Sequence, residues 1–146
     1  MAWLVVEEIK FRGHSNIRAT HSTTLEITRE PHLTPRGDCI IGVSADKAPR
    51  DFSDSTKALL SQPIPVKLLL HVGPYRFSIQ GKGDPRIDCS SSTALVVRRS
   101  DYVCGKTIMV HASAAANNIP RPIVQLLRQP QTYRALLLVR TASLVN

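Results

Sequence analysis

The sequence has little that would indicate a membrane, secreted or disulfide-bonded protein. None of its apolar runs reaches the roughly 18 residues that a membrane-spanning helix needs, and its start has no basic flank of the kind found in secretory signal peptides. The three cysteines, Cys39, Cys89 and Cys104, form no C-x-x-C pair, which argues against a disulfide framework and a four-cysteine zinc site. We therefore expect a soluble cytoplasmic protein, although one disulfide bridge is compatible with this count.

Catalytic motifs and aromatic residues are also scarce. The chain contains no nucleophile elbow, P-loop or dinucleotide-binding fingerprint. The spacing between His14 and His21 matches no zinc signature, so we expect neither a metal nor a cofactor and assign no catalytic residue. Aromatic residues make up 5% of the chain, which argues against a base-stacking platform for single-stranded nucleic acid.

Acidic residues become rare in the second half of the chain. Residues 1–73 contain nine basic and eight acidic residues, whereas residues 74–146 contain ten and three, with no acid after Asp101. An uneven distribution of this kind is typical of a surface that binds a polyanion, and nucleic acid is the commonest such partner. The alternative is a basic surface without a partner.

The basic residues of the second half are our candidates for phosphate contacts. No helix-turn-helix or zinc-finger spacing is visible, so the pattern favours recognition of backbone and shape, which is typical of structured RNA. We predict binding to ribosomal or other structured RNA, in association with the ribosome or another ribonucleoprotein. The candidate residues are Arg98, Arg99, Lys106, Arg121, Arg128, Arg134 and Arg140.

The chain also contains an internal repeat. Residues 8–13 align with residues 76–81, and residues 39–41 align with residues 107–109, in both cases at an offset of 68 residues. This pattern indicates two copies of one unit. We predict a single domain, residues 1–146, built from repeats over residues 1–65 and 66–146.

The pattern in each unit predicts three strands followed by a short helix. In the first unit Val5, Ile9 and Phe11 alternate with polar residues, as in a half-buried strand, and Asp51 or Ser53 can cap the helix. In the second unit Gly73 and Pro74 predict the turn of a β-hairpin. The expected fold is mainly β, sandwich-like and mostly antiparallel, with two short helices and pseudo-twofold symmetry between the βββα units.

Five sequence motifs lie near the predicted turns and strands: G-H-S-N at 13–16, A-T-H-S-T-T-L-E-I-T at 19–28, T-P-R-G-D-C-I-I-G-V at 34–43, A-D-K-A at 45–48 and G-D-P-R at 83–86. These motifs resemble those of a small archaeal family known only as a conserved domain of unknown function. The resemblance covers roughly residues 5–130. It implies a compact, mainly β fold of duplicated origin in an archaeal cytoplasm, without an established activity. Residues 113–116 lack the charges of the A-D-K-A turn, which argues against a symmetric Asp and Lys site.

Polar residues near the predicted turns form a second candidate site. They are His14, Asn16, His21, Arg36, Asp38, Asp84 and Arg86. One interpretation is structural, because such residues satisfy backbone groups and pin loops through salt bridges. The alternative is a small-molecule enzyme or ligand-binding protein, with His14, His21 and Asp38 as acid or base groups. A third hypothesis is a subunit of a protein complex, with an exposed apolar contact at residues 136–138 and 144–145.

Overall fold

The computed structural model describes residues 2–141 and contains two four-stranded sheets and two short α-helices over this range. Its strands are β1 (Leu4–Arg12), β2 (Thr24–Thr28), β3 (Ile40–Gly42), β4 (Pro65–Val72), β5 (Tyr75–Lys82), β6 (Ala94–Arg98), β7 (Thr107–Met109) and β8 (Thr132–Val139). The helices are α1 (Asp54–Leu60) and α2 (Arg121–Leu127), and a 3₁₀ turn precedes each of them, at Pro49–Asp51 and Ala116–Asn118. Within residues 2–141, no helix is long and apolar enough to cross a membrane.

The first sheet has the strand order β1-β8-β4-β5, and all its pairs are antiparallel. The second sheet has the order β3-β2-β6-β7, with an antiparallel central pair and parallel outer pairs. The buried side chains of both sheets and both helices form one hydrophobic core. The prediction of a mainly β, mostly antiparallel fold with two short helices is therefore confirmed.

Two local predictions from turn and capping residues are also confirmed. The β4–β5 hairpin turns at Gly73, whose φ of 58° lies in the left-handed region that glycine adopts without strain. Helix α1 begins after Ser53, whose hydroxyl oxygen accepts a hydrogen bond from the Thr56 amide at 3.2 Å. Pro120 lies immediately before α2.

Strand β1 departs from the strict alternation predicted for it. A bulge lies between Val5 and Glu7, so Val5 is 50% exposed and Glu7 is buried. The Glu7 carboxylate accepts hydrogen bonds from the Ser53 amide at 3.1 Å and the Thr56 hydroxyl at 2.7 Å, and it pairs with Lys47 at 3.1 Å. Burial by itself would raise the pKa of Glu7, but these hydrogen bonds lower it overall. The bulge thus anchors the start of α1 to β1.

Loops cover part of both edges of the first sheet. Lys10 on β1 donates its amide to the Asp46 carboxylate at 3.0 Å, and Gln80 on β5 donates its amide to the Ser113 hydroxyl at 3.1 Å. The Ser113 side chain therefore accepts an amide of the edge strand β5, as the Asp46 side chain accepts an amide of the edge strand β1. The A-D-K-A turn has a structural use in the first half, since Lys47 pairs with Glu7.

Candidate anion-binding face

One face of the first sheet points away from the second sheet, and we call it the outer face. Four basic side chains lie directly opposite one another across its four strands, in the order Lys10, Arg134, His71 and Arg76. Directly opposed residues project to the same side of a sheet. We refer to these four residues as the basic row.

The outer face holds most of the excess positive charge of the chain. Its alternating strand residues, together with the residue that follows β8, include seven Lys or Arg side chains, and among the described residues of these strands one acid, Glu8, lies on the same face. Twelve basic and ten acidic residues remain for the rest of the chain. The seven basic residues are Lys10, Arg12, Lys67, Arg76, Lys82, Arg134 and Arg140.

A cleft of about 320 Å³ opens on the basic row. All four residues of the row line it, and the remaining lining residues are Gly73, Gln131, Thr132 and Tyr133. No carboxylate is among the described residues that line the cleft. Arg134 pairs with Glu8 beside the cleft at 3.3 Å, but both side chains are well exposed, and such surface pairs contribute little stability.

His71 is the unusual member of the basic row. Both of its ring nitrogens are buried and have no hydrogen-bond partner in the described part of the chain. Burial lowers the pKa of His71, and the neighbouring Arg76 and Arg134 lower it further, while Glu8 opposes the shift. The imidazole is therefore predominantly neutral at pH 7 and has hydrogen-bonding capacity that the described residues do not use.

An aromatic ring lies toward the opposite end of the outer face. The Lys67 ammonium is 4.3 Å, and the Arg140 guanidinium 4.9 Å, from the centroid of the Trp3 ring. These cation–π contacts hold two cations at the face. Tyr133 belongs to the core, where its hydroxyl donates to the Leu126 carbonyl, so it offers no exposed stacking surface.

The predicted phosphate-binding residues do not gather on one surface. Arg134 and Arg140 lie on the outer face. Arg121 donates to the backbone carbonyl of Arg18 at 3.1 Å, and Arg128 donates to that of Ile17 at 2.9 Å. These two guanidinium groups therefore hold the loop before β2 against α2.

The other three predicted residues lie on or near the second sheet. Arg98 donates to Thr24 at 3.4 Å and to the Cys104 sulfur at 3.5 Å, and its guanidinium stacks on Tyr102. Arg99 donates to the Asn118 side chain at 3.5 Å. Lys106 lies close enough to Glu26 to oppose the rise in the pKa of that carboxyl, which burial causes.

The side chains of His14 and His21 form local hydrogen bonds with the backbone, as the structural interpretation predicts. His14 Nδ1 accepts the amide of Asn16 at 3.0 Å, and the Asn16 side chain donates to the Leu33 carbonyl at 2.8 Å. His21 Nδ1 accepts the amide of Thr24 at 3.1 Å. Within residues 2–141, no three His, Cys, Asp or Glu side chains are placed to hold a metal ion.

The pair Asp84 and Arg86 forms a salt bridge, whereas the pair Arg36 and Asp38 forms none among the described residues. Asp84 accepts hydrogen bonds from the amide of Arg86 and from two guanidinium nitrogens, at 2.9, 2.9 and 3.1 Å. These bonds lower the pKa of Asp84 to about 2. Arg36 is exposed, and the backbone carbonyl of Asp38 accepts the amide of Thr20 at 3.0 Å. Among the described residues, no hydrogen bond or salt bridge joins Arg36 or Asp38 to Asp84 or Arg86.

The apolar segment suggested as an exposed protein contact is part of the sheet. Leu137 and Leu138 are buried in β8, and Leu136 is half-buried, so the prediction of an exposed contact at residues 136–138 is wrong. Residues 144–145, the other part of that prediction, lie outside the described residues.

Sequence reasoning missed Lys10, His71 and Arg76 as members of one site. The alternation along β1 places Lys10 on a polar face, and the same alternation along β4 places His71 there. That signal identifies the polar side of each strand. It does not identify the neighbouring strand, and the pairing of β8 between β1 and β4 creates the row.

Comparison with known proteins places this face in a family context. Residues 9–140 match the family described as Domain of unknown function (DUF371), a range that contains all four residues of the basic row. The chain is also 41% identical over 121 residues to the uncharacterised protein MJ0206 of Methanocaldococcus jannaschii, an alignment that covers 83% of this chain and 90% of that protein. The predicted resemblance to a family of unknown function with an archaeal member is confirmed, and the chain belongs to the DUF371 family.

Proposed function

We propose that this protein binds structured RNA through the outer face of its first sheet. The observation that carries the proposal is the basic row, because it places three cations across four strands, with Lys10 directly opposite Arg134 and with the neutral His71 between Arg134 and Arg76. Like charges in directly opposed positions destabilise a sheet. Binding of phosphate groups would remove that cost and release counterions.

The shape of the face favours recognition of a backbone. At about 4.8 Å between neighbouring strands, the basic row extends roughly 14 Å across the sheet. Lys67, Lys82 and Arg140 continue the positive charge along the strands. Trp3 already contacts two cations, so the face offers few surfaces on which bases could stack. The RNA that we propose as the ligand is ribosomal or another structured RNA in the cytoplasm.

The proposal is tested by measuring the binding of an RNA hairpin at 50 and 200 mM salt by fluorescence anisotropy. For the wild type we expect affinity to fall steeply with salt. The double variant Lys10→Gln/Arg76→Gln removes two cations from the basic row. It should bind at least about tenfold more weakly and show a salt slope smaller by about 1.5.

The matched control is Arg50→Gln/Lys57→Gln, which removes the same charge from the segment around α1. We expect this control to retain nearly the wild-type affinity. An equal loss in both double variants would show that only net charge matters. Wild-type protein that does not bind the hairpin at 50 mM salt would contradict the proposal itself.

We also infer that the fold arose by duplication of one unit. Four non-glycine residues of the described chain have positive φ, and they form two pairs: Ala19 and Cys89, both at 51°, and Ser44 and His111, both at 52°. Ala19 and Cys89 are 70 residues apart, and Ser44 and His111 are 67 residues apart. Isolated bridges also correspond, since Arg12 pairs with residue 43 and Lys82 pairs with residue 110.

These correspondences support a unit boundary different from the one predicted between residues 65 and 66. Strand β4 has the same neighbour relationships as β8, because each is central in the first sheet and each follows a helix. We therefore place β4 in the first unit and the boundary at Gly73 and Pro74. Each unit then has the order βββαβ, with a pseudo-twofold axis between β8 and β4.

A further inference from the structure

The cleft holds more positive charge than one backbone phosphate requires. Lys10, Arg76 and Arg134 place three cations around one concavity, and among the described residues Glu8 is the carboxylate that pairs with this group. An internal phosphodiester carries one negative charge. A phosphomonoester carries between one and a half and two at pH 7, with three acceptor oxygens. The charge of the cleft therefore suits a phosphomonoester better.

The hydrogen-bonding groups of the cleft lead to the same ligand. His71 lies between Arg134 and Arg76 in the basic row, and its ring nitrogens have no partner among the described residues. A polar group buried without a partner costs free energy, which a ligand oxygen would recover. One terminal nitrogen of Arg76 donates to the Gly73 and Tyr75 carbonyls at 3.2 and 2.9 Å, and one of Arg134 donates to Glu8 at 3.3 Å. The other terminal nitrogen and the Nε of each guanidinium group can still donate two parallel hydrogen bonds to phosphate oxygens.

The volume of the cleft indicates more than a bare phosphate. About 320 Å³ is within the range of clefts that hold small organic ligands. Gln131 and Thr132 line the same cleft. Their amide and hydroxyl groups can form hydrogen bonds with a sugar or a base. A nucleotide would therefore use both the cations and these neutral groups.

We propose that the cleft binds the phosphomonoester group of a nucleotide, either free or at the end of an RNA strand. Lys10, Arg76 and Arg134 bind the phosphate oxygens, and the imidazole of His71 donates a further hydrogen bond to them. Binding of a phosphorylated RNA end rests on the proposed RNA binding. Binding of a free nucleotide does not depend on that proposal.

The test compares one RNA hairpin carrying a 5′-phosphate with the same hairpin carrying a 5′-hydroxyl, and uses AMP and inorganic phosphate as small probes in calorimetry. The wild type should bind the phosphorylated hairpin about tenfold more tightly, which corresponds to one additional charge-assisted hydrogen bond. AMP should bind and should compete with the phosphorylated end. Arg76→Gln and His71→Gln should each abolish the preference for the phosphorylated hairpin.

Lys67→Gln is the matched control, because it removes a cation from the outer face outside the cleft. It should weaken both hairpins equally and keep the tenfold preference. Equal binding of both hairpins without AMP binding would overturn the cleft assignment and leave RNA binding in place. AMP binding that Arg76→Gln abolishes, without hairpin binding, would support the cleft assignment and overturn the RNA proposal. A preference that survives both cleft variants would overturn the assignment.

Discussion

His71 is the residue of the outer face whose charge state should respond to a bound anion. Burial, with Arg76 and Arg134 on the flanking strands, holds its pKa below the ordinary value, so it is neutral at pH 7 in the free protein. The other charged groups that face it are Lys10 and Glu8. A bound phosphate would favour the imidazolium form and raise this pKa.

We therefore predict that nucleotide or RNA binding takes up protons at pH 7 through His71. Calorimetry of AMP binding in two buffers with different heats of protonation measures this uptake directly. The wild type should take up more protons than the His71→Gln variant, and its affinity advantage over that variant should shrink as the pH rises from 7 to 8.5. The same proton uptake in both proteins would contradict the prediction.

Asp84 is a residue whose ionisation stabilises a loop. Arg86 lowers its pKa from the ordinary 3.8 to about 2 in the folded protein. A carboxyl group with a lowered folded pKa contributes stability above its unfolded pKa, and this contribution is lost as the pH falls toward the folded value. We expect Asp84→Asn to lower the melting temperature at pH 7 and to have much less effect near pH 2.

Asp88→Asn is a suitable control for this comparison. Asp88 accepts the amide of Ser90 at 3.1 Å, as Asp84 accepts that of Arg86, but it forms no ion pair among the described residues. Its substitution should change the melting temperature little at either pH. Thermal melts followed by circular dichroism provide the measurement.

At the scale of elements, two glycines set the distance between the first sheet and the helix ends. A Cβ at Gly13 would overlap carbonyl oxygens at the end of α2 and just after it, and a Cβ at Gly83 would overlap the corresponding oxygens of α1. We predict that Gly13→Ala and Gly83→Ala each cost about 2 to 3 kcal/mol of unfolding free energy, because the obstructing atoms belong to the backbone.

Gly105→Ala provides the comparison for these variants. The nearest atom to a Cβ at this position is the hydroxyl of Ser90, which can rotate away. Urea denaturation should therefore show a smaller loss, below about 1 kcal/mol. Similar losses for Gly13→Ala and Gly83→Ala would agree with the proposed duplication, whereas a large loss in one of them alone would count against it.

At the scale of the whole molecule, the two halves of the chain are interleaved. In the first sheet, β8 from the second half separates β1 from β4, and β4 separates β8 from β5. In the second sheet, β2 from the first half pairs with β6 from the second. A half on its own would leave backbone groups of these strands without partners and would divide the single core.

We predict that residues 1–73 and 74–146, produced separately, yield no folded monomer. Mixed together they should associate into a one-to-one complex with the β-rich circular dichroism of the intact chain. Size-exclusion chromatography with light scattering measures the stoichiometry. A folded monomer of either fragment would contradict the prediction.

The interleaving also explains why the charge distribution looks different in sequence and in space. Along the chain, the excess of basic residues lies in the second half. In the structure, Lys10 and Arg12 from the first half join Arg76, Lys82 and Arg134 from the second half on one face. Proximity in sequence was therefore a poor guide to which cations lie on the same face.

Local patterns in the sequence by themselves determined much of the secondary structure. The alternation of Ile9 and Phe11 with polar residues, the cap at Ser53 and the turn at Gly73 depend on interactions within a few residues, so they could be predicted from the chain alone. The bulge near Glu7 could not, because it depends on Ser53 and Thr56, which lie more than forty residues away.

The candidate site was decided by the tertiary structure. Arg121 and Arg128 look like free cations in the sequence, yet they bond to backbone carbonyls over one hundred residues away. Lys10, His71 and Arg76 look unrelated, yet strand pairing aligns them with Arg134. Residue type and spacing determine which face of a strand a side chain occupies, whereas long-range pairing determines its neighbours, and a binding site consists of neighbours.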